Sequence, residues 1–167
     1  FLRERSVIPE KADLNSILFL LTPAETMAKF QHLVANIARF EEHIQDNTPV
    51  IEMLPTLAKA HPQYSRMRIK ELCQKLHDFY AKHRLNDLQQ QMFLRDAWPK
   101  LNITPEECHN AFIRNEVELV PLSEIKGRTA AEGALPYPPG VLCIVPGEIW
   151  GGAVLEYFLA LEQGINE

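Results

Sequence analysis

The sequence predicts an α+β fold, with helices of the first two-thirds packed on a small sheet formed mainly by the last third. Two observations carry this. Residues 23–45 repeat apolar side chains every three or four positions, the period of a helix with one buried face, and three further helices are read over 69–83, 86–98 and 104–115. Residues 116–122, 127–133 and 141–145 instead read as extended segments, and they cluster late rather than alternating with helices as a doubly wound sheet requires.

The chain opens on FLRERSVIPEK, which reads as the last turn of a helix followed by a strand. Residues 17–21, ILFLL, are a short continuous apolar run, as expected of a strand buried on both faces. Thr22-Pro23-Ala24-Glu25 then forms a helix start, with Thr at the N-cap, Pro at the first position and Glu at the third. The helix it opens places Met27, Phe30, Val34, Ile37, Phe40 and Ile44 on one face. Residues 48–62 are punctuated by proline and read as irregular, with a short turn of helix. The helix over 69–83 turns Leu72, Cys73, Leu76, Phe79 and Tyr80 inward, and Asn86 starts a third, to about Trp98. Thr104-Pro105-Glu106-Glu107 repeats the start signal for a fourth, ending near Asn115. After the extended segments, a last helix over 151–161 ends at a C-cap signal, Gly164.

The 167 residues, 46% of them hydrophobic, suffice for one domain with a core and a small extra element at one end. A net charge of −5 without a basic stripe argues against a nucleic-acid partner. The longest apolar run is far too short to span a bilayer, and no signal-peptide pattern opens the chain. Cys73, Cys108 and Cys143 are widely spaced with no C-x-x-C, which favours a reducing cytoplasm over a disulfide framework. The ends read as cut, so a fragment of a longer polypeptide is expected.

Several constellations invite chemistry, and most have a plainer reading. Glu25, Glu41, Glu42 and Asp46 read as a solvated helix face. Cys73 and His77 stand four apart on one helix, close enough to share a metal, but no second pair accompanies them. Cys108 and His109 are neighbours on a helix and point apart. Tyr137, inside EGALPYPPGVLCIVPGE, is more pointed, because the surrounding prolines fix where its ring and hydroxyl stand. A pocket rim and a ring capping the protein's own core both suit it. Glu10, after Pro9, reads either as a surface ion pair with Lys11 or Arg5, or as a carboxylate at a strand end facing a cationic ligand.

GRTAAEGALPYPPGVLCIVPGEIWGGAV resembles the C-terminal region of the bacterial pyridoxal-phosphate-dependent ornithine/lysine/arginine decarboxylases. FLRERSVIPEKADLNSILFLLTPAE resembles the passage upstream in that family, and ITPEECHNAFIRNE and EVELVPLSEIKGR fall between them in the right order. The resemblance is closest to the ornithine decarboxylase branch; lysine and arginine members tend to read proline where this chain has Leu142. It implies a remnant of the aminotransferase-like small domain over 1–22 and the decarboxylase C-terminal domain over 23–167. It further implies a cytoplasmic parent enzyme that converts L-ornithine to putrescine and CO2 and is a homo-oligomer when full length.

The family's catalytic lysine lies in Ser-x-His-Lys, and no lysine here follows a histidine. No catalytic residue, cofactor ligand or metal ligand is therefore assigned within the chain, and pyridoxal phosphate is expected only in the full-length enzyme. By resemblance, Glu10 faces the distal ammonium of ornithine, and Tyr137 stands at the entrance of the active-site channel, where the upstream catalytic domains of the same polypeptide meet this one. The other reading is a stand-alone, non-catalytic α+β regulatory or assembly module.

Overall fold

The computed structural model describes residues 1–12, 16–137 and 140–166, which form two compact units, Phe1–Asp78 and Phe79–Glu167.

The first unit opens with a 3-10 turn, Arg3–Arg5, closed by Ser6 in the left-handed region at φ 58°. Two short strands follow, β1 (Lys11–Ala12) and β2 (Ile17–Leu18), paired antiparallel with Lys11 opposite Leu18 and Ala12 opposite Ile17. The run from residue 17 is thus an exposed ribbon, not a strand buried on both faces: Ile17, Leu18, Leu20 and Leu21 all lie open. Continuous apolarity does not by itself fix burial, since much of a folded protein's accessible surface is apolar.

Helix α1 spans Met27–Asp46, four residues later than Thr22 suggested. Thr26 is the N-cap and accepts a bond from the Lys29 N–H at 3.4 Å, while the Glu25 N–H donates to the Thr22 carbonyl at 3.0 Å and closes a turn before the helix. The signal at Thr22 is thus spent on a turn, and Thr26, which the sequence reading did not single out, caps the helix. Asn47 ends α1 in the left-handed region at φ 50°, a conformation asparagine tolerates.

The span 48–62, expected to be irregular, holds two short helices, α2 (Val50–Met53) and α3 (Pro55–Ala60). An antiparallel bridge between Pro49 and Arg68 leads into α4 (Ile69–Lys82). Among the described residues of this unit the buried apolar ones are Val50, Met53, Ala58 and Ile69. Cys73 and Leu76, expected inward, are exposed on α4.

The second unit carries α5 (Leu85–Gln91), shorter than the helix expected to reach Trp98, and then a 3-10 turn at Arg95–Ala97. Helix α6 spans Pro105–Ile113 with both halves of its capping box formed. Helix α7 spans Gly152–Asn166. Gly164 is inside α7 rather than at its cap, and the Phe79 ring packs close to it, 3.0 Å from where a β-carbon would stand. Leu85, Leu88 and Met92 recur at helical spacing and are buried, as are Val154, Leu155, Tyr157 and Ala160 of α7, and Gln89 donates to the Tyr157 hydroxyl at 3.2 Å.

The α+β class holds, but the sheet expected in the last third is reduced to single bridges. Leu101 pairs with Glu148, Thr129 with Ile149, and Ala134 with Ile144. Proline removes ladder donors and glycine weakens strands, and Gly133, Pro136, Pro146 and Gly147 interrupt these segments every few residues. Residues 116–122 enter no bridge among the described residues; Leu119 is fully exposed and Glu118 pairs with Arg128.

Candidate functional site

Glu10 belongs to the first unit and Tyr137 to the second. Glu10 directly precedes β1, and its N–H donates to the Leu18 carbonyl at 3.0 Å. Its carboxylate is exposed, and no ion pair reaches it among the described residues. Arg5 is engaged elsewhere: its guanidinium sits 3.7 Å from the centre of the Phe1 ring and donates to the Phe1 carbonyl at 3.3 Å. A cleft of about 480 Å³ in the same unit is lined by Ile8, Leu20, Leu21, Lys29, Phe30 and His32.

Tyr137 stands on a loop whose stem is pinned. The Cys143 N–H donates to the Ala134 carbonyl at 2.9 Å, and the Ala134 N–H donates to the Ile144 carbonyl at 3.1 Å. Pro136 is buried beneath, while Tyr137 is 86% exposed. Gly140 closes the loop at φ +80°, with its N–H donating to the Pro136 carbonyl at 2.7 Å. A β-carbon at Gly140 would meet the Tyr137 ring at 3.0 Å, so the ring needs glycine there. Pro138 and Pro139 lie outside the described residues. Below the stem, burial pushes the Cys143 thiol up.

The sequence did not single out Glu148, yet its carboxylate shapes this region. It accepts from the Val145 N–H at 2.8 Å, and its own N–H donates to the Val145 carbonyl at 3.2 Å. Pro146-Gly147 with Gly147 at φ +93° is the centre of a type II turn, which the Pro-Gly dipeptide itself signals. Glu148 is thus committed to structure. So is Cys108, which is buried and donates to the Ala130 carbonyl at 3.2 Å, with His109 exposed beside it. Cys73 and His77 are both exposed, and no group of three side chains suited to a metal occurs among the described residues.

No lysine among the described residues is buried. A Schiff-base lysine needs an enclosed or otherwise desolvated amine. Lys11 is half-buried and Lys29, Lys59, Lys70, Lys75, Lys82, Lys100 and Lys126 are exposed. Lys29 pairs with Glu25 at 2.9 Å and Lys75 with Glu71 at 3.4 Å.

A family model described as "Orn/Lys/Arg decarboxylase, C-terminal domain" matches residues 86–167. The chain is 58% identical to the inducible ornithine decarboxylase of Escherichia coli, an alignment covering 99% of this chain and 23% of that protein. It is 53% identical to the ornithine decarboxylase of Haemophilus influenzae, with the same two coverages. Among solved structures it is similar to the lysine decarboxylase of Francisella novicida, with a TM-score of 0.89 at 32% identity over 97% of this chain and 23% of that one. The constitutive lysine decarboxylase of E. coli matches with a TM-score of 0.86 at 33% identity, over 96% of this chain and 23% of that one. The chain thus spans about a quarter of the length of the relatives it matches.

Proposed function

On the premise that the chain belongs to the Orn/Lys/Arg decarboxylases through their C-terminal domain, we propose that the whole polypeptide is a cytoplasmic, homo-oligomeric ornithine decarboxylase, releasing CO2 from L-ornithine to give putrescine. The observation that carries this is the gap in identity: 58% and 53% to the ornithine decarboxylases of E. coli and H. influenzae, against 32% and 33% to the two lysine decarboxylases. The chain itself is inactive. Pyridoxal phosphate supplies the electron sink for decarboxylation when bound, and its lysine and phosphate ligands belong to catalytic domains outside these residues. In this reading residues 1–22 complete the small domain and 23–167 are the C-terminal domain.

Two residues of this chain serve the parent site. Glu10 holds the distal ammonium of ornithine; its exposed carboxylate, held at the start of β1 and unpaired by any neighbouring cation among the described residues, supports this. Tyr137 stands at the channel entrance; its exposure above a pinned stem supports that role.

The test is CO2 release from L-ornithine, L-lysine and L-arginine by the full polypeptide with added pyridoxal phosphate. Preference for ornithine is expected, together with no turnover by the 167-residue chain above the cofactor alone in water. A full polypeptide that prefers lysine or arginine overturns the assignment, and turnover by the isolated chain overturns its inactivity.

A further inference from the structure

Helix α1 is inside out for a surface helix. The one buried residue among the described positions of 1–47 is polar, Asn36, while apolar residues of the same helix lie open. Asn36 donates to the His32 carbonyl at 2.8 Å, and the His32 ring bonds the Arg5 carbonyl at 2.9 Å. Phe1 packs edge-on against Phe40 and His43 at 5.3 and 5.7 Å. The N-terminal segment therefore covers the side of α1 that carries His32, Asn36, Phe40 and His43.

The other apolar positions of the face expected from the sequence, 27, 30, 34, 37 and 44, fall with Glu41 on another side, at the alternating spacing of three and four that marks a helix-packing seam, while Phe40 stands apart against Phe1. All but Glu41 are apolar. Met27 is 72% exposed, Val34 64% and Ile37 48%. A stripe at this spacing is the surface a second helix packs on, since burying apolar side chains is the main favourable term in such packing.

We propose that this seam docks against an apolar helix face in the remainder of the same polypeptide, outside these 167 residues. The proposal rests on the parent-enzyme reading above, and it adds the surface and the kind of element that covers it. Three observations select this occupant. The chain spans 23% of the length of its relatives, so most of the parent is available to supply a helix. The seam is continuous with other open apolar residues: Leu20 and Leu21 of the ribbon line one cleft together with Phe30 and Leu33. A tethered partner also acts at an effective concentration of about millimolar for a short flexible tether, which favours it over a second copy meeting through solution.

The test is photo-crosslinking of the full polypeptide with a benzophenone amino acid at Val34, and at the exposed Arg39 as a control. Arg39 is five positions on, about 140° around the helix from Val34. The expected result is a product with the mass of one chain, whose crosslinked peptide lies outside the 167 residues, at least tenfold more abundant from Val34 than from Arg39. A product of doubled mass assigns the seam to a second copy and overturns the proposal, as do a crosslink within the 167 residues, equal yields, or no product. If the Val34 derivative does not fold, the same derivative at Met27 reads the same seam with the same outcomes. Ornithine turnover by the unmodified polypeptide, measured alongside, reports on the parent-enzyme reading separately.

Discussion

Gly147 is the residue at which conformation and space act together. Its φ of +93° disfavours any side chain, and a β-carbon would overlap the Ile103 carbonyl oxygen, which is backbone and cannot swing aside. Gly127 shares the first constraint at φ +78° but has nothing within 4 Å. Gly127→Ala should cost about 1–2 kcal/mol, the ordinary penalty for the left-handed region. Gly147→Ala should cost clearly more, about 3 kcal/mol or above once overlap is added. Urea unfolding followed by the fluorescence of Trp150, near the same turn, compares the two; equal costs would show that the loop around Ile103 yields. For Glu10, loss of a charge-assisted hydrogen bond worth about 1.5–3 kcal/mol predicts that Glu10→Gln in the full polypeptide lowers kcat/KM for ornithine at least about tenfold, with cofactor absorbance unchanged. Unchanged kcat/KM removes Glu10 from the site. Tyr137→Ala separates entrance from turn. Because the ring is 86% exposed, an entrance role changes kcat/KM at a nearly constant Tm, whereas a purely structural role lowers Tm and leaves the kinetics of the folded fraction intact.

At the scale of elements, legibility followed how local the determinant was. The capping box of α6 was readable because all its parts lie within four residues. The Glu107 carboxylate accepts from the Thr104 N–H and hydroxyl, both at 2.8 Å, and the backbone bond, with the hydroxyl second, holds its carboxyl below the ordinary 4.5. Its contribution is therefore complete above pH 4.5 and is lost as the pH falls through the lowered value. Thr104→Ala should cost about 1 kcal/mol at neutral pH. The stability difference between the native chain and a Glu107→Ala variant, which loses both bonds to the carboxylate, should shrink below pH 4.5; acid-titrated melting curves measure it, and a gap constant to pH 3 would rule out the carboxylate as its source. The start of α1 fell at Thr26 and not at Thr22, because the complete cap signal at Thr22 closes a turn before the helix. The segments 116–122, 127–133 and 141–145 were read as a sheet because extended patterning does not distinguish a ladder from loops crossing at single bridges. Of the candidate site, the loop stem and Gly140 follow from Pro and Gly placement. The structural role of Glu148 emerges only once its turn is built, since a carboxylate carries no mark of which N–H it will meet.

At the scale of the whole molecule, buried apolar side chains are unevenly shared. Those of the first unit are Val50, Met53, Ala58 and Ile69, and among the described positions of 1–47 no apolar residue is buried. The second unit buries Leu85, Leu88, Met92, Ile144, Val154 and Tyr157, among others. Ordering backbone costs about 1–2 kcal/mol per residue, and only burial of comparable worth offsets it. A two-stranded ribbon such as β1–β2 is marginal without a third strand or a packed face, and α1 has only partly covered apolar contacts, Phe1 against Phe40 among them, where most protein helices rest on a buried face. The 167-residue chain by itself should therefore open locally along residues 1–46 at little free-energy cost while α5, α6 and α7 hold. Hydrogen exchange resolves this directly: amides of α1 should exchange at least tenfold faster than those of α5 and α7 in the isolated chain, and should slow markedly in the full polypeptide. Equal protection of α1 and α7 in the isolated chain would mean that α1 is held by its contacts with Phe1 and Arg5, and that its open seam is not the source of any instability.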